Sequence, residues 1–183
     1  MQAFTTFWNG FMDAAVFAEI VFILCCVYAL AVPTDKFSRF LGKNLNRSIL
    51  WIGFLFPLFM MVGSLIYSEI IGYAPCLLCW YGRVMIYPQV VLFGIALWKK
   101  DRMILPYITG LTVVALIIAL YHTIITITGE SPLPCSSNGV SCLTRYVYDF
   151  GFISIPFMEL SAVVSLFFAI MVSKRYQKTQ IWK

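Results

Sequence analysis

The chain has 183 residues, of which 61% are hydrophobic and only 11% charged, with a net charge of +5 and a mean hydropathy of +0.88. A soluble domain carries about 25% charged residues, so a soluble or disordered protein is excluded. A nucleic-acid-binding protein is excluded too, because so little polar surface builds no solvated basic face. What remains is an integral membrane protein of several spans, with too little polar sequence for a separate soluble domain.

A helix needs about 20 apolar residues to cross the hydrocarbon core. Five segments qualify: 14–32, 48–71, 79–98, 104–128 and 151–172. Their apolar runs are continuous, without the alternation of barrel strands, so they are predicted as helices. The predicted fold class is an all-α integral membrane protein. Gly53, Pro57, Gly63, Pro88, Gly94, Gly110 and Pro156 fall inside the spans. Membrane helices tolerate such residues where neighbours re-satisfy the freed backbone.

Sidedness follows from lysine and arginine. Lys36, Arg39, Lys43 and Arg47 lie in the first connection, and Lys99, Lys100 and Arg102 in the third. Lys174, Arg175, Lys178 and Lys183 lie in the tail. If the spans alternate, all of these share one face, which the positive-inside rule makes cytoplasmic. The amino terminus is then outside and the carboxyl terminus inside. The two outer connections hold Glu69, Glu130 and Asp149, with Arg145 as their one basic residue. Ala29-Leu30-Ala31 resembles a cleavage triplet, but no Lys or Arg precedes it within the first 13 residues. The first segment therefore reads as a span and not as a cleaved signal peptide.

Six cysteines are present. Cys25 and Cys26 lie mid-span and read as small buried hydrophobes. Cys76 and Cys79 form a CxxC where the third span begins, behind Pro75, a residue suited to a helix start. Two intervening residues let the thiols meet across one helical turn. The helix N-terminus, with its free N–H groups and positive dipole end, favours a thiolate. Leu77 and Leu78 keep the pair at the lipid boundary, within reach of a lipid-soluble oxidant. Cys135 and Cys142 lie in the other outer connection, in the polar, turn-rich stretch from Pro134 through Ser136, Ser137, Asn138 and Gly139. A disulfide there is open to attack by a thiolate of another protein. All four fall on the side where disulfides persist. Two alternatives stand beside a redox reading: structural outer disulfides, and a zinc site made of the four thiolates. The wide Cys135–Cys142 spacing and the lack of an adjacent histidine weigh against zinc, and no metal is expected.

Arg83 lies one turn inward from Cys79 on the same helical face. A charge at that depth is costly and marks function; it suits a thiolate or a quinone carbonyl. His122 is the single histidine, in the outer third of the fourth span. Glu19 and Glu159 lie within the first and last spans, and each needs a partner.

Cys76-Leu77-Leu78-Cys79-Trp80-Tyr81-Gly82-Arg83 resembles the CxxC-x-Y-x-R signature of the DsbB and BdbC bacterial disulfide-bond formation proteins. The resemblance continues through Tyr121-His122-Thr123 and Tyr148-Asp149-Phe150-Gly151-Phe152-Ile153-Ser154-Ile155-Pro156. It implies a four-helix transmembrane bundle over 48–173, preceded by an extra N-terminal transmembrane helix with its cytoplasmic connection (1–47) and followed by a basic cytoplasmic tail (174–183). It implies a thiol:quinone oxidoreductase of the bacterial cytoplasmic (inner) membrane that reoxidises a DsbA-like soluble thiol oxidase. The electrons would pass to ubiquinone or menaquinone. Residue by residue, Cys135 would form the mixed disulfide with the partner and Cys142 would be its mate. Cys76 and Cys79 would reduce quinone, with Cys79 facing the ring. Arg83 would hold the quinone, and His122 would lie near it. The vitamin K epoxide reductase group shares this chemistry, but its loop pair precedes the CxxC, whereas here it follows. Two departures from the family pattern stand out: the extra first span, and a loop pair closer together than in the longer-looped members.

Overall fold

The computed structural model describes residues 2–132, 135–137 and 140–181. Pro134, Asn138, Gly139 and Lys183 of the sequence reading lie outside the described residues. Five long helices carry the fold: α1 (Gln2–Ala31), α2 (Lys36–Leu65), α3 (Leu77–Lys99), α4 (Leu105–Thr128) and α5 (Ile155–Ile181). All five are long and apolar enough to cross a membrane. The expectation of an all-α membrane bundle therefore holds, and the chain is a multi-pass membrane protein.

Helix boundaries follow local chemistry. Pro33 stops α1. Asp35 caps α2, its carboxylate accepting from Phe37 N at 3.3 Å. Gly129 closes α4 in the left-handed conformation, φ +76°. The helices exceed the apolar windows read from sequence. α1 starts well before Ala14 because Asn9 and Asp13 lie in the helix and face inward. α2 takes in the basic segment from Lys36. The tail from Lys174 to Ile181 continues α5 as helix. The last helix starts at Ile155 and not at Gly151. Phe150 and Gly151 both have positive φ, and Asp149 and Ile153 exchange backbone hydrogen bonds at 2.9 Å around that turn.

α5 is the central helix: 56% of its most apolar window is buried, against 22% for α1 and for α2. At the basic end of the bundle, Cys26, Ile49, Phe93, Ile108 and Ile170 form one apolar core. The Phe93 ring occupies the space a side chain on Gly53 would need, which brings α2 and α3 close. Cys26 is fully buried there, as a small hydrophobe. At the other end, α1 supplies Met12 and Val16 to a second cluster with Tyr67, Val147, Ile153 and Met158. The first helix is thus an integral wall of the bundle. Asn9 accepts from the Tyr67 hydroxyl at 3.1 Å, and Glu19 accepts from Ser161 on α5.

α2 ends in a π-helical turn, Ile66–Ile70, a local feature often found beside functional sites. The connection between α4 and α5 carries the one described strand pair, Ser136–Ser137 against Val140–Ser141. Arg145 donates to the Thr126 and Ile127 carbonyls at the end of α4 and stacks on Tyr148, its guanidinium 4.7 Å from the ring. The connection is thereby tied to the helix it leaves. Tyr73 and Tyr146 stack with centroids 4.5 Å apart and join it to the α2–α3 connection.

Candidate redox site

Pro75 cannot continue a preceding helix and leads into Cys76, which caps α3 in an extended conformation. Its Sγ accepts from the Cys79 backbone N–H at 3.4 Å and lies 2.9 Å from the Cys79 Sγ. The two thiols are free and meet across the first turn of the helix. His122 approaches from α4, with Nε2 at 3.7 Å from Cys76 Sγ. Cys76 precedes the membrane-spanning part of α3. The Cys79 thiol donating to it, and then His122, hold the Cys76 thiol well below its usual range, against the opposing effect of burial. Cys76 is therefore the thiol of the pair that ionises more readily.

Cys135 and Cys142 are disulfide-bonded, with Cα atoms 5.6 Å apart. The bond engages two of the four thiols that a zinc site built from both pairs would need. Cys142 is buried and packs with Cys76, Leu78 and Ile125 in one cluster. Cys135 is partly exposed at its edge. The fold thus brings both cysteine pairs, far apart in sequence, to one place.

Beneath them a cavity of about 130 Å³ opens between the five helices and the α4–α5 connection. Cys76, Cys79, Arg83, His122 and Cys142 line it. Its other walls are largely apolar, with Met12, Phe59, Met60, Ile86 and Met158 among them. Arg83 is buried. Its Nε donates to Ser64 Oγ at 2.9 Å and its Nη2 to the Ser64 carbonyl at 3.2 Å, while the Trp80 ring lies 5.2 Å from its guanidinium carbon. These partners hold the guanidinium inside the bundle, not snorkelled to the interface. His122 is buried, and its Nδ1 has no hydrogen-bond partner among the described residues.

This geometry agrees with what the family comparison finds. The model of the family "Disulfide bond formation protein DsbB" matches residues 46–174. The chain belongs to the DsbB family. It is 36% identical over 121 residues to disulfide bond formation protein C of Bacillus subtilis, covering 65% of this chain and 88% of the relative. It is 38% identical over 124 residues to the SPbeta prophage-derived disulfide bond formation protein B of the same species, covering 68% and 83%. A probable disulfide formation protein of Oceanobacillus iheyensis is 42% identical over 113 residues, covering 58% and 75%. No solved structure matches the chain. α1 lies before the DsbB-family match, yet its Met12, Val16 and Glu19 help line the cavity.

All six site residues singled out from the sequence line this cavity or the cysteine cluster above it. Sequence reading missed the α1 wall, the Ser64 anchor of Arg83, and the neighbours of Glu159. Glu19 and Glu159 did carry a signal, since acids at membrane depth demand partners. Ser64 and Gly82 carried none.

Proposed function

We propose that the protein is a membrane thiol:quinone oxidoreductase. It reoxidises a DsbA-like thiol oxidase outside the bacterial cytoplasmic membrane and passes the electrons to ubiquinone or menaquinone. In this reading the basic end of the bundle is cytoplasmic, and the amino terminus and both cysteine pairs face outward. The observation that supports it most is the shared site: a reduced CxxC, a disulfide packed against it, and a cavity holding Arg83 and His122.

The cavity suits a quinone head group. An engineered apolar cavity of about 150 Å³ takes a benzene ring, so 130 Å³ is the scale of one ring. The apolar walls suit the ring faces. Arg83 and the unpartnered His122 Nδ1 offer polar contacts for its oxygens. A bound quinone supplies an acceptor for two electrons and two protons.

The chain's own residues do the rest. Cys135 is the more accessible sulfur of the loop disulfide and takes the partner's thiolate. Cys142 then leaves as a thiolate beside Cys76, where exchange with the CxxC pair follows. His122 and the start of α3 hold the Cys76 thiolate. Arg83, fixed by Ser64, keeps a positive charge one turn below Cys79.

The test uses purified, mildly reduced protein in detergent under anaerobic conditions. Ubiquinone-1 or menadione is added, quinone absorbance is followed and free thiols are counted. Equal loss of one quinone and two thiols, absent in Cys79→Ser, is expected. No quinone consumption, with both cysteine pairs inert, would overturn the proposal and leave structural disulfides.

A further inference from the structure

The acid in the last helix has a place that the chemistry above leaves unused. Glu159 sits on the second turn of α5 and lines the cavity. Its carboxyl lodges against the backbone of α3 at Gly82, between Cys79 and Arg83. A Cβ at position 82 would overlap Oε1, so glycine there opens the notch that the carboxyl fills. Gly82 is buried, so this is an internal contact. Cys76, Cys79 and Arg83 from α3 and His122 from α4 all lie within electrostatic reach of Glu159. Glu19 of α1, bonded to Ser161, lines the same cavity. An acid at this depth is expensive and calls for a role.

We propose that Glu159 carries a proton from the Cys79 thiol to the quinone oxygen beside Arg83. This rests on the thiol:quinone reading above. Counted from the dithiol, closing the Cys76–Cys79 disulfide releases two electrons and two protons. The electrons go to the quinone. The Cys76 proton, given up when that thiol ionises ahead of closure, is held on His122, its neighbour at 3.7 Å. The other, from Cys79, passes to the Glu159 carboxylate. Both are then delivered to the two quinone oxygens, giving quinol, a neutral imidazole and a carboxylate. Arg83 and Glu159 both line the cavity, and the Glu159 carboxyl lies against Gly82, the residue next to Arg83, so charge arriving on an oxygen beside them meets a cation and a proton donor together.

Glu159→Gln keeps the shape and removes the acid. Quinone reduction by the reduced variant is expected to slow by roughly a hundredfold, the low end of general acid–base contributions. Exchange between a soluble dithiol and Cys135–Cys142 should be unchanged. A quinone-free readout separates proton carriage from packing: alkylation of Cys79 against pH, resolved from the other cysteines by peptide mass mapping. In the variant its midpoint should move to lower pH, because a neighbouring negative charge no longer opposes the thiolate. Gly82→Ala displaces only the flexible end of Glu159 and should reproduce both effects if Glu159→Gln fails to fold. A slowed rate with an unmoved alkylation profile would reduce Glu159 to packing and overturn the proposal. So would a moved profile with an unchanged rate, or no change in either. Wild-type quinone reduction with Cys79→Ser would instead sink the underlying functional reading.

Discussion

The two cysteine pairs share one corner of the molecule and are built in opposite ways. Cys76 and Cys79 sit on the first turn of a long helix, behind a proline, with a histidine and an arginine from two elements around them. Cys135 and Cys142 sit in a connection whose only described regular structure is a two-residue strand pair. Rigid placement fixes the CxxC thiols relative to the cavity, as chemistry with a bound ring requires. The loop pair needs access more than placement, because its substrate is another protein. Burial follows the same division. Cys142 turns inward to Cys76, while Cys135 faces the edge. One disulfide thus has a protein-facing sulfur and a relay-facing sulfur.

The comparison breaks most visibly if the two pairs are interchangeable. Cys79→Ser and Cys76→Ser should each drop quinone reduction to background, since neither can close the disulfide that delivers the electrons. Full turnover in Cys76→Ser would sink the mechanism. Cys135→Ser should behave differently. Oxidation of a DsbA-like protein should fall to background, while slow turnover with a small dithiol persists through the intact CxxC pair. A Cys135→Ser protein that still oxidises the protein partner at the wild-type rate would show that the loop pair is no relay.

pH sharpens the contrast within the CxxC itself. Cys76 has its folded-state pKa depressed below the ordinary thiol value, first by the Cys79 thiol and then by His122. Between the folded and unfolded values the unfolded chain binds the extra proton. The reduced protein should therefore gain stability as pH rises through that window, and lose it as pH falls through the folded value. Alkylation of Cys76 should stay fast well below pH 8. His122→Ala should move the fall-off in alkylation upward but leave it below that of a free thiol, because the Cys79 donor remains. A midpoint unaffected by His122→Ala would remove the histidine from the thiolate's support.

The parts of this site differ in how plainly the sequence announced them. Spans were legible because hydrophobic runs of helical length have few other uses. The CxxC was legible because proline, spacing and span edge coincide within a few residues. Helix ends were not, since a hydropathy window stops at Asn9, Asp13 or Lys36 while the helix continues with those groups turned inward or clear of lipid. The later start of α5 depends on two consecutive positive-φ residues, Phe150 and Gly151, and Phe150 gave no sign of it. The notch at Gly82 was least legible. It exists only because α5 places an acid against α3, and no local pattern encodes a contact across 77 residues of sequence. The inward face of α1 was hidden for a related reason. A helix that is apolar all round shows no stripe to tell its protein side from its lipid side.

The smallest expected effect tests the loop pair's own anchorage. Arg145 makes its hydrogen bonds to carbonyls at the C-terminal end of α4, where the helix has no amide donors left to satisfy them and the dipole favours a cation. Arg145→Ala removes those bonds and the stack on Tyr148. The side chain is exposed, so the loss of stability should be only about 1 kcal/mol, measured by thermal unfolding in detergent. Quinone reduction by the pre-reduced CxxC should change little: Arg145 and its neighbours in the connection line the cavity, but Cys79, Arg83 and His122 stand on helices. Turnover with the protein partner should show a higher KM and little change in kcat, since the loop is held less firmly before binding while the exchange chemistry is intact. A fall in quinone reduction with pre-reduced protein would show that the loop anchor also supports the ring site, and that the two pairs are less separable than their construction implies.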